Sequence, residues 1–525
     1  MPSSWPLHWD EVSVFDVNSA ALGQPPLNLM LAAGKHLANI SASGVDDSRK
    51  LDDEIWILCG SGNNGGDGFV AAKVLADGDY NVRILASHKV QKTDLSNAAR
   101  LHAKESKIPI HVWGDGDWDC TPAVESTSGK VAVLVDALLG VGQGGGENSL
   151  PRGSIAEVLI WTAEHFSTGA PRVLACDIPT GWGSQLQLRA GLTLTFHEEK
   201  LGMRDVNGEY HRGLGQVIVA PLPFPNEIEN VGIGDSMRYP KLETGAQKGD
   251  RGRVLVIGGG PYHGAPILAG MAAARMGADL VHVAMPEKAR ERANWPPDII
   301  PEEIPDRAIL TQDSIAQISQ RMSSGRGVQA MVIGTGLGRE ESTLSAVRDL
   351  LNIAAEKCIP CVIDADAIYA LEQDKWPDNI IGVATPHATE FSAWLGNSKP
   401  DEVLAKAAES VLPVPWDTYS NDAENAVIIT TGAEDTLIGL QGRSCKASGG
   451  NPRMAMGGTG DLLAGAIGGL LAIGMSPWAA SRLACYLMRE AGKVAGQQLG
   501  PGLVSSDLPQ YLAGALATAL LIQAS

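Results

Sequence analysis

Two short stretches of this chain carry more chemistry than local structure requires. In Met456-Gly457-Gly458-Thr459-Gly460-Asp461-Leu462-Leu463-Ala464-Gly465, small residues open a long apolar run. That run reads as a buried helix whose first backbone N–H groups have no partner within the helix. Such groups form an anion hole where a phosphoryl group develops charge. Asp461 falls in the first turn, placed to take the proton of a hydroxyl that attacks the phosphate. A carboxylate there also complements the helix dipole, but the Gly-Gly-Thr-Gly before it favours catalysis. The second stretch is Gly60-Ser61-Gly62-Asn63-Asn64-Gly65-Gly66-Asp67-Gly68. Its five glycines allow close backbone approach to a ligand, and its Asn and Asp side chains supply polar contacts or metal ligands. Asp136 and Asp177 end later apolar runs, in Val135-Asp136-Ala137-Leu138-Leu139-Gly140-Val141-Gly142 and Cys176-Asp177-Ile178-Pro179-Thr180-Gly181. Each alone could cap a helix; three Asp-and-Gly strand ends together favour one convergent site.

Those residues need a scaffold that brings strand ends together. The first half reads as a helix over Asn28–Ile40, a strand over Ile55–Cys59, a helix over Gly68–Ala76, and strands over Val82–Ala86, Val131–Val135 and Val173–Cys176. In the second half the strands are Arg253–Ile257, Leu280–Ala284, Met331–Ile333, Cys361–Ile363 and Val427–Thr430, mostly followed by helices. Alternation of this kind implies mostly parallel sheets, with ligands at the carboxyl ends of the strands. The expected fold class is α/β with two domains, 1–225 and 226–525. Between them Pro221–Gln247 holds four prolines without periodicity and reads as a linker.

With 525 residues, the chain is too long for one ordinary core. A hydrophobic share of 44% is that of a globular protein, and the net charge of -19 opposes binding to nucleic acid or anionic membranes. The apolar runs Leu462–Met475 and Leu512–Ile522 are too short to span a bilayer and read as buried helices. Seven scattered cysteines suit a reducing, cytoplasmic setting. Cys358 and Cys361 precede a strand, so both are expected to be buried and structural. Gly258-Gly259-Gly260 with Gly264 mimics a dinucleotide fingerprint. The following strand ends in Met285-Pro286 rather than in an acid, which argues against a redox Rossmann site.

Leu58–Asp67, Val135–Gly142 and Asp177–Gly181 resemble the NAD(P)H-hydrate epimerase family, over about Leu27 to Pro221. The resemblance implies a Rossmann-like three-layer fold in which Asn63, Asn64, Gly65, Gly66 and Asp67 bind the hydrated cofactor. It implies a second substrate loop, Gly140, Val141, Gly142, Gln143, Gly144, Gly145 and Gly146, with Asp177 on the substrate. Potassium would sit on Asn64, Asp136 and Thr180, where Ser is more usual. Within the ribokinase-like superfamily, Gly457–Gly465 resembles ADP-dependent NAD(P)H-hydrate dehydratase. Lys248–Gly252, Gly334–Gly338, Val362–Ala367, Thr385–Phe391 and Ser505–Pro509 agree, nearly covering Gly245 to Pro509. This implies an α/β/α fold, with Ala265, Gly336, His387 and Asp461 on the hydrate and Asp461 as general base. Thr431, Gly432, Ala433, Glu434, Asp435 and Gly460 would bind the nucleotide, ADP accompanied by magnesium. The family usually has Lys-Gly where this chain has Thr431-Gly432; Lys446 and Arg453 are candidates for the missing cation. The expected partners are hydrated NADH or NADPH and ADP, with no nucleic acid or membrane, and a homo-oligomeric state. Two rival readings are a ribokinase-like kinase for a small alcohol and a first domain that only binds. His387 and the fused first domain weigh against the kinase; Asn64, Asp136 and Asp177 weigh against mere binding.

Overall fold

The computed structural model describes residues 6–46, 51–115, 131–143, 150–166, 171–205, 207–242, 244–325, 327–411 and 425–524. It divides into two compact units, one ending at Ile228 and one beginning at Glu229.

The first unit opens with α1 (Glu11–Ala21) and α2 (Pro26–Ala42). There follow β1 (Glu54–Cys59), α3 (Asn63–Asp77), β2 (Asn81–Ala86), α4 (Asp94–Glu105), β3 (Ile110–Val112), β4 (Val131–Ala137), α5 (Ser154–His165), β5 (Arg172–Cys176), β6 (Leu192–Phe196) and β7 (Gln216–Ala220). Every strand pairs in parallel, in the order β3-β2-β1-β4-β5-β6-β7. The alternation of side chains along a strand builds the layers. Ile55, Ile57 and Cys59 join Leu37 of α2 and Phe69 of α3 in one core. Trp56 and Leu58 join Val158 and Trp161 of α5 in the other. A sheet covered on both faces requires continuous apolar strands, as β1 has. This is the Rossmann-like three-layer arrangement, and its strand order reverses between β1 and β4.

The second unit comprises β8 (Arg253–Ile257), α6 (Ala265–Arg275), β9 (Leu280–Met285), α7 (Glu287–Arg292), β10 (Ile299–Glu303), α8 (Ile315–Ser323), β11 (Ala330–Ile333), α9 (Glu341–Glu356), β12 (Cys361–Ile363), β13 (Gly382–Ala384), α10 (Ala388–Leu395), α11 (Pro400–Val411), β14 (Ala426–Thr430), β15 (Asp435–Gly439), β16 (Ser444–Ala447), α12 (Thr459–Ala472), α13 (Pro477–Leu499) and α14 (Leu508–Ala524). The sheet runs β10-β9-β8-β11-β12-β13-β14-β15-β16, parallel through β14 and antiparallel for the last two pairings. Val254 and Val256 face α6 and α12, while Leu255 and Ile257 face α9. The helix α12 lies against α6 at very short range: a Cβ on Gly465 would fall 1.9 Å from the Ala269 carbonyl oxygen. Among the described residues no helix is long and apolar enough to cross a membrane.

Several expectations change. The helix α3 starts at Asn63, so the glycine-rich stretch is its first turn rather than a loop before it. Asp136 lies inside β4. Cys361 is buried, but Cys358 is exposed at φ 51°, so only one of that pair is structural. Along α14, Leu512, Leu516 and Ala519 are buried while Leu521 is 70% exposed, so that run is a one-sided helix. The proline-rich segment is not a linker throughout. Residues Ile233–Arg238 form a 3-10 helix, and Tyr239 is buried with its hydroxyl donating to Met276 O at 3.1 Å. Asp235 pairs with Arg482 of α13 at 2.5 Å, side chains 1% and 4% exposed. Arg482 also donates to Glu229 O at 2.7 Å and Asn230 O at 3.1 Å. The absence of periodicity concealed a segment fixed by one buried ion pair.

Removing one partner of a buried pair leaves the other charge uncompensated, at a cost of about 3–5 kcal/mol. Asp235→Ala is expected to lower the stability of the second unit by about that much in chemical denaturation. Asp235→Leu combined with Arg482→Met is expected to recover most of the loss.

Candidate functional site

In the first unit the candidate residues gather at the carboxyl ends of β1, β4 and β5. Most of the glycines there serve packing. A Cβ on Gly60 would lie 1.8 Å from Leu138 O, one on Gly65 2.0 Å from Gly60 O, and one on Gly68 2.9 Å from Cys59 Sγ. Gly62 alone of the five faces open space. The side chain of Asn63 accepts a hydrogen bond from the Thr93 hydroxyl at 2.7 Å. Asn64 reaches the substrate loop: a Cβ on Gly140 would lie 3.1 Å from Asn64 Oδ1 and 3.2 Å from Asp177 Oδ2. The Asn64 Nδ2 atom is buried without a partner. Val141 N–H donates to Asp177 Oδ2 at 3.1 Å. Gln143 ties the same loop to the next one, accepting from Gly181 N at 2.8 Å and donating to Pro179 O at 3.2 Å. Gly144, Gly145 and Gly146 lie outside the described residues.

Asp177 adopts φ 68°, a left-handed conformation uncommon for an aspartate. Strain of this kind persists where the surroundings over-determine it. Here Thr195 Oγ1 donates to its Oδ1 at 3.2 Å and the buried Lys200 Nζ lies 3.4 Å away. Lys200 also donates to Thr195 Oγ1, Phe196 O and Glu198 O at 2.8–3.0 Å. Asp136 is fully buried and accepts from Thr180 N and Thr180 Oγ1, both at 2.7 Å. Burial pushes its carboxyl up to about 6, although the Thr180 and Leu138 hydrogen bonds pull it back. Burial, then the charges of Asp177 and Asp16, hold Asp67 well above the usual carboxylate range. Asp16 of α1 rises to about 6 through burial and Asp177. The oxygens of Asn64, Asp136 and Thr180 are the donor type that a hard cation takes.

In the second unit the candidates lie at the carboxyl ends of β8, β11, β12, β13 and β14. Gly336, at φ 68°, brings its backbone beside Ala265: a Cβ there would meet Tyr262 O at 2.5 Å and Ala265 Cβ at 3.4 Å. Asp461 is the third residue of α12, behind Gly458 at φ 97°. Gly457 and Gly460 face open space, so the helix start is accessible to a ligand. Burial, then Asp366 and Glu390, raise the Asp461 carboxyl to about 6. Asp364, after β12, rises to about 7 through burial and then Asp461, against a 2.7 Å hydrogen bond from Thr385 Oγ1. Asp366 is held by Gly338 N and Arg339 Nε, each at 2.9 Å. His387 caps α10: its Nδ1 accepts from Thr389 N at 3.1 Å and Glu390 N at 3.3 Å, and Glu390 Oε2 accepts from His387 N at 2.9 Å. The proton therefore sits on Nε2, 3.4 Å from Glu390 Oε1, on a side chain 54% exposed.

The segment Thr431–Glu434 links β14 to β15. Thr431 bridges to His387. Arg489 of α13 lies under it, donating to Gly432 O at 2.9 Å and Ala433 O at 2.8 Å and pairing with Asp435 at 2.7 Å. Asp435 also accepts from Gly432 N at 3.1 Å, so its side chain points inward to hold the loop. Lys446 pairs with Glu434 at 2.7 Å, and Arg453 donates to Pro501 O at 3.1 Å.

The family described as NAD(P)H-hydrate dehydratase matches residues 254–513. The one described as YjeF-related protein N-terminus matches residues 26–202. A bifunctional NAD(P)H-hydrate repair enzyme Nnr of Methanothermobacter thermautotrophicus is 31% identical over 95% of this chain and 93% of its own. One from Pyrobaculum aerophilum is 32% identical over 96% of both chains. The chain belongs to the bifunctional NAD(P)H-hydrate repair enzyme family. An ADP/ATP-dependent NAD(P)H-hydrate dehydratase from Bacillus subtilis, crystallised with ATP and Mg2+, is 22% identical, with a TM-score of 0.44 over 55% of this chain and 96% of that one.

In this repair-enzyme chain, several residues of both sites escaped the sequence reading. Asp364, Asp366 and Glu390 lay inside the Val362–Ala367 and Thr385–Phe391 motifs. The spacing of His387 and Glu390 is that of a capping box, which would have exposed their pairing. Arg482 and Arg489 stand seven apart on the largely apolar α13, a signal that both have buried partners. Asp16 and Lys200 meet Asp67 and Asp177 only in three dimensions.

The raised carboxyl of Asp67 has a consequence for stability. Below the unfolded pKa it is protonated in both states and costs nothing. As pH climbs from the ordinary carboxylate range towards the folded value, the folded state loses stability. Asp67→Asn removes that loss. It is expected to raise the melting temperature at pH 7. No gain is expected at pH 3; thermal melts at both values check it.

Proposed function

We propose that this chain repairs hydrated NADH and NADPH. The first unit interconverts the R and S hydrates, and the second dehydrates the S form at the expense of a nucleotide. The observation that carries the reading is Asp461: a desolvated carboxylate near 6 in the first turn of α12, behind backbone open to solvent at Gly457 and Gly460. A base with that value is ionised at neutral pH and strong enough to take a hydroxyl proton in the transition state.

The hydrated ring binds against Ala265, Gly336 and His387. Asp461 takes the ring hydroxyl proton as its oxygen forms a bond to the terminal phosphorus of ADP, and the bond to the departing AMP breaks. The N–H groups at the start of α12 hold the phosphoryl oxygens. Loss of phosphate from that ring carbon, with loss of a proton from its neighbour to solvent, then restores the nicotinamide double bond. A magnesium ion there would neutralise charge on the nucleotide phosphates. The mutual repulsion of Asp364, Asp461 and Glu390 suits such a cation. In the first unit Asn63–Asp67, Gly140–Gln143 and Asp177 bind the hydrate, and Asn64, Asp136 and Thr180 would hold potassium.

Asp461→Asn is expected to cut dehydration by ~10²–10⁴-fold with folding intact. In the parent protein the rate is expected to fall below about pH 6, as Asp461 takes up its proton. Following dihydronicotinamide absorbance against pH checks both; a near-parental rate in the variant removes Asp461 from the mechanism.

ADP as donor is what the resemblance to ADP-dependent dehydratases implies, and how tightly it binds depends on the loop under which Arg489 lies. That guanidinium is committed to loop carbonyls and Asp435, and Lys446 to Glu434. Thr431 therefore leaves the phosphates short of a cation. One charged hydrogen bond is worth about 1.5–3 kcal/mol, tenfold or more in affinity. ADP is expected to be preferred over ATP but bound weakly, with Thr431→Lys tightening it about tenfold. Titrating both nucleotides against dehydration rate in both proteins tests this, and a preference for ATP overturns it.

A further inference from the structure

The strand order of the first unit orients a dinucleotide. In an open parallel sheet the two halves of such a ligand lie across the crevice where the order reverses, here between β1 and β4. Asp177, at the end of β5, places the reacting ring on the β4 side, an assignment that rests on the function proposed above. The adenosine half then falls towards β2. Sheets of this kind that take an unphosphorylated ribose set an Asp or Glu there to accept from the 2′-hydroxyl.

This chain has no acid at that place. After β2 it reads Ser87-His88-Lys89-Val90-Gln91-Lys92-Thr93. The segment is fastened to the glycine-rich turn at two points. Lys92 N–H donates to Ser61 O at 2.7 Å, and the Thr93 hydroxyl donates to Asn63 Oδ1 at 2.7 Å. The side chain of Lys92 is exposed and has no ion-pair partner among the described residues. Lys89 pairs with Asp115 at 3.2 Å, with side chains 75% and 41% exposed; such a pair is weak and easily exchanged for a stronger anion. His88 is fixed between Ser87 Oγ at 2.8 Å and Ser154 Oγ at 3.2 Å. Burial and the charge of Lys92 draw its pKa down, so the ring is a neutral donor or acceptor beside that ammonium.

We infer that Lys92, supported by Lys89 and His88, reads the 2′-phosphate on the adenosine ribose, so that the first unit favours the hydrate of NADPH over that of NADH. A lysine ammonium binds phosphate as a point charge, without the planar two-point contact of an arginine. Both substrates share the pyrophosphate, which is the other anion Lys92 could meet, and the two cases separate experimentally.

The test compares kcat/KM for epimerisation of the two hydrates in the parent protein and in Lys92→Ala, Lys89→Ala and the double variant. The expected result is a fall of about tenfold in the ratio of phosphorylated to unphosphorylated substrate for Lys92→Ala, expressed in KM rather than kcat. Lys89→Ala is expected to act in the same sense but less strongly. An equal loss on both hydrates assigns Lys92 to the pyrophosphate and overturns the inference, as does an unchanged ratio. A second measurement stands apart from turnover: calorimetric binding of adenosine 2′,5′-bisphosphate against AMP to the full chain. Preference for the bisphosphate that Lys92→Ala abolishes supports the inference, and no preference overturns it. A parental protein that epimerises neither hydrate while keeping that preference would defeat the proposed activity, not the phosphate reading.

Discussion

Carboxylates taken out of water without matching cations govern both units. A parallel sheet covered by helices on both faces leaves only its edges for chemistry, and here the carboxyl edges are lined with aspartates. Burial is the largest influence on Asp67, Asp136, Asp364 and Asp461, and each is raised by it. Desolvation of this kind costs folding free energy at neutral pH. The surrounding architecture has to hold the groups in place despite that cost. It does so with backbone so closely approached that a Cβ on Gly60 or Gly465 would fall within 2 Å of a carbonyl oxygen.

The two units relieve the same tension differently. In the first, Thr180 fastens Asp136 through its backbone and hydroxyl, and Lys200 lies against Asp177, the residue bent into left-handed backbone. In the second, hydrogen bonds from Thr385 to Asp364 and from Gly338 and Arg339 to Asp366 fix the carboxylates around Asp461. Elsewhere in that unit, two buried carboxylates are paired with arginines of α13. Asp435 holds Arg489 and Asp235 holds Arg482, and these serve the scaffold. The carboxyls raised by burial, Asp67, Asp136, Asp364 and Asp461, gather at the two candidate sites, as perturbed groups do at functional sites.

Most strands were legible because a doubly covered strand must be continuously apolar. Ile55–Cys59 and Arg253–Ile257 stand out for that reason. Strand ends were legible too, which is why Asp136 and Asp177 could be picked out, whereas Asp461 was legible from the small residues that open α12. Boundaries were less so: nothing in Asn63–Asp67 announces that the helix has already begun, since glycine is a poor helix former and only tight packing against β1 and β4 fixes it there. The glycines of that turn were read as ligand contacts; that four of five also face neighbouring backbone and side chains was not legible. Residues 229–239 were illegible because their order comes from Arg482, some 250 positions away, and local periodicity carries no trace of such a contact. Asp16 and Lys200 belong to the same class. The pairing of His387 with Glu390 was legible in principle, because capping-box spacing is local.

The account turns on two separable chemistries in one chain, and an equilibrium mixture of R and S hydrates of NADPH tests this most directly. With ADP and magnesium, the intact protein is expected to return the whole mixture to NADPH, followed as dihydronicotinamide absorbance. Asp177→Ala is expected to stop once the S fraction is consumed, with the initial rate on S unchanged. Complete conversion by that variant, or equal loss of both phases in a well-folded protein, would contradict the account.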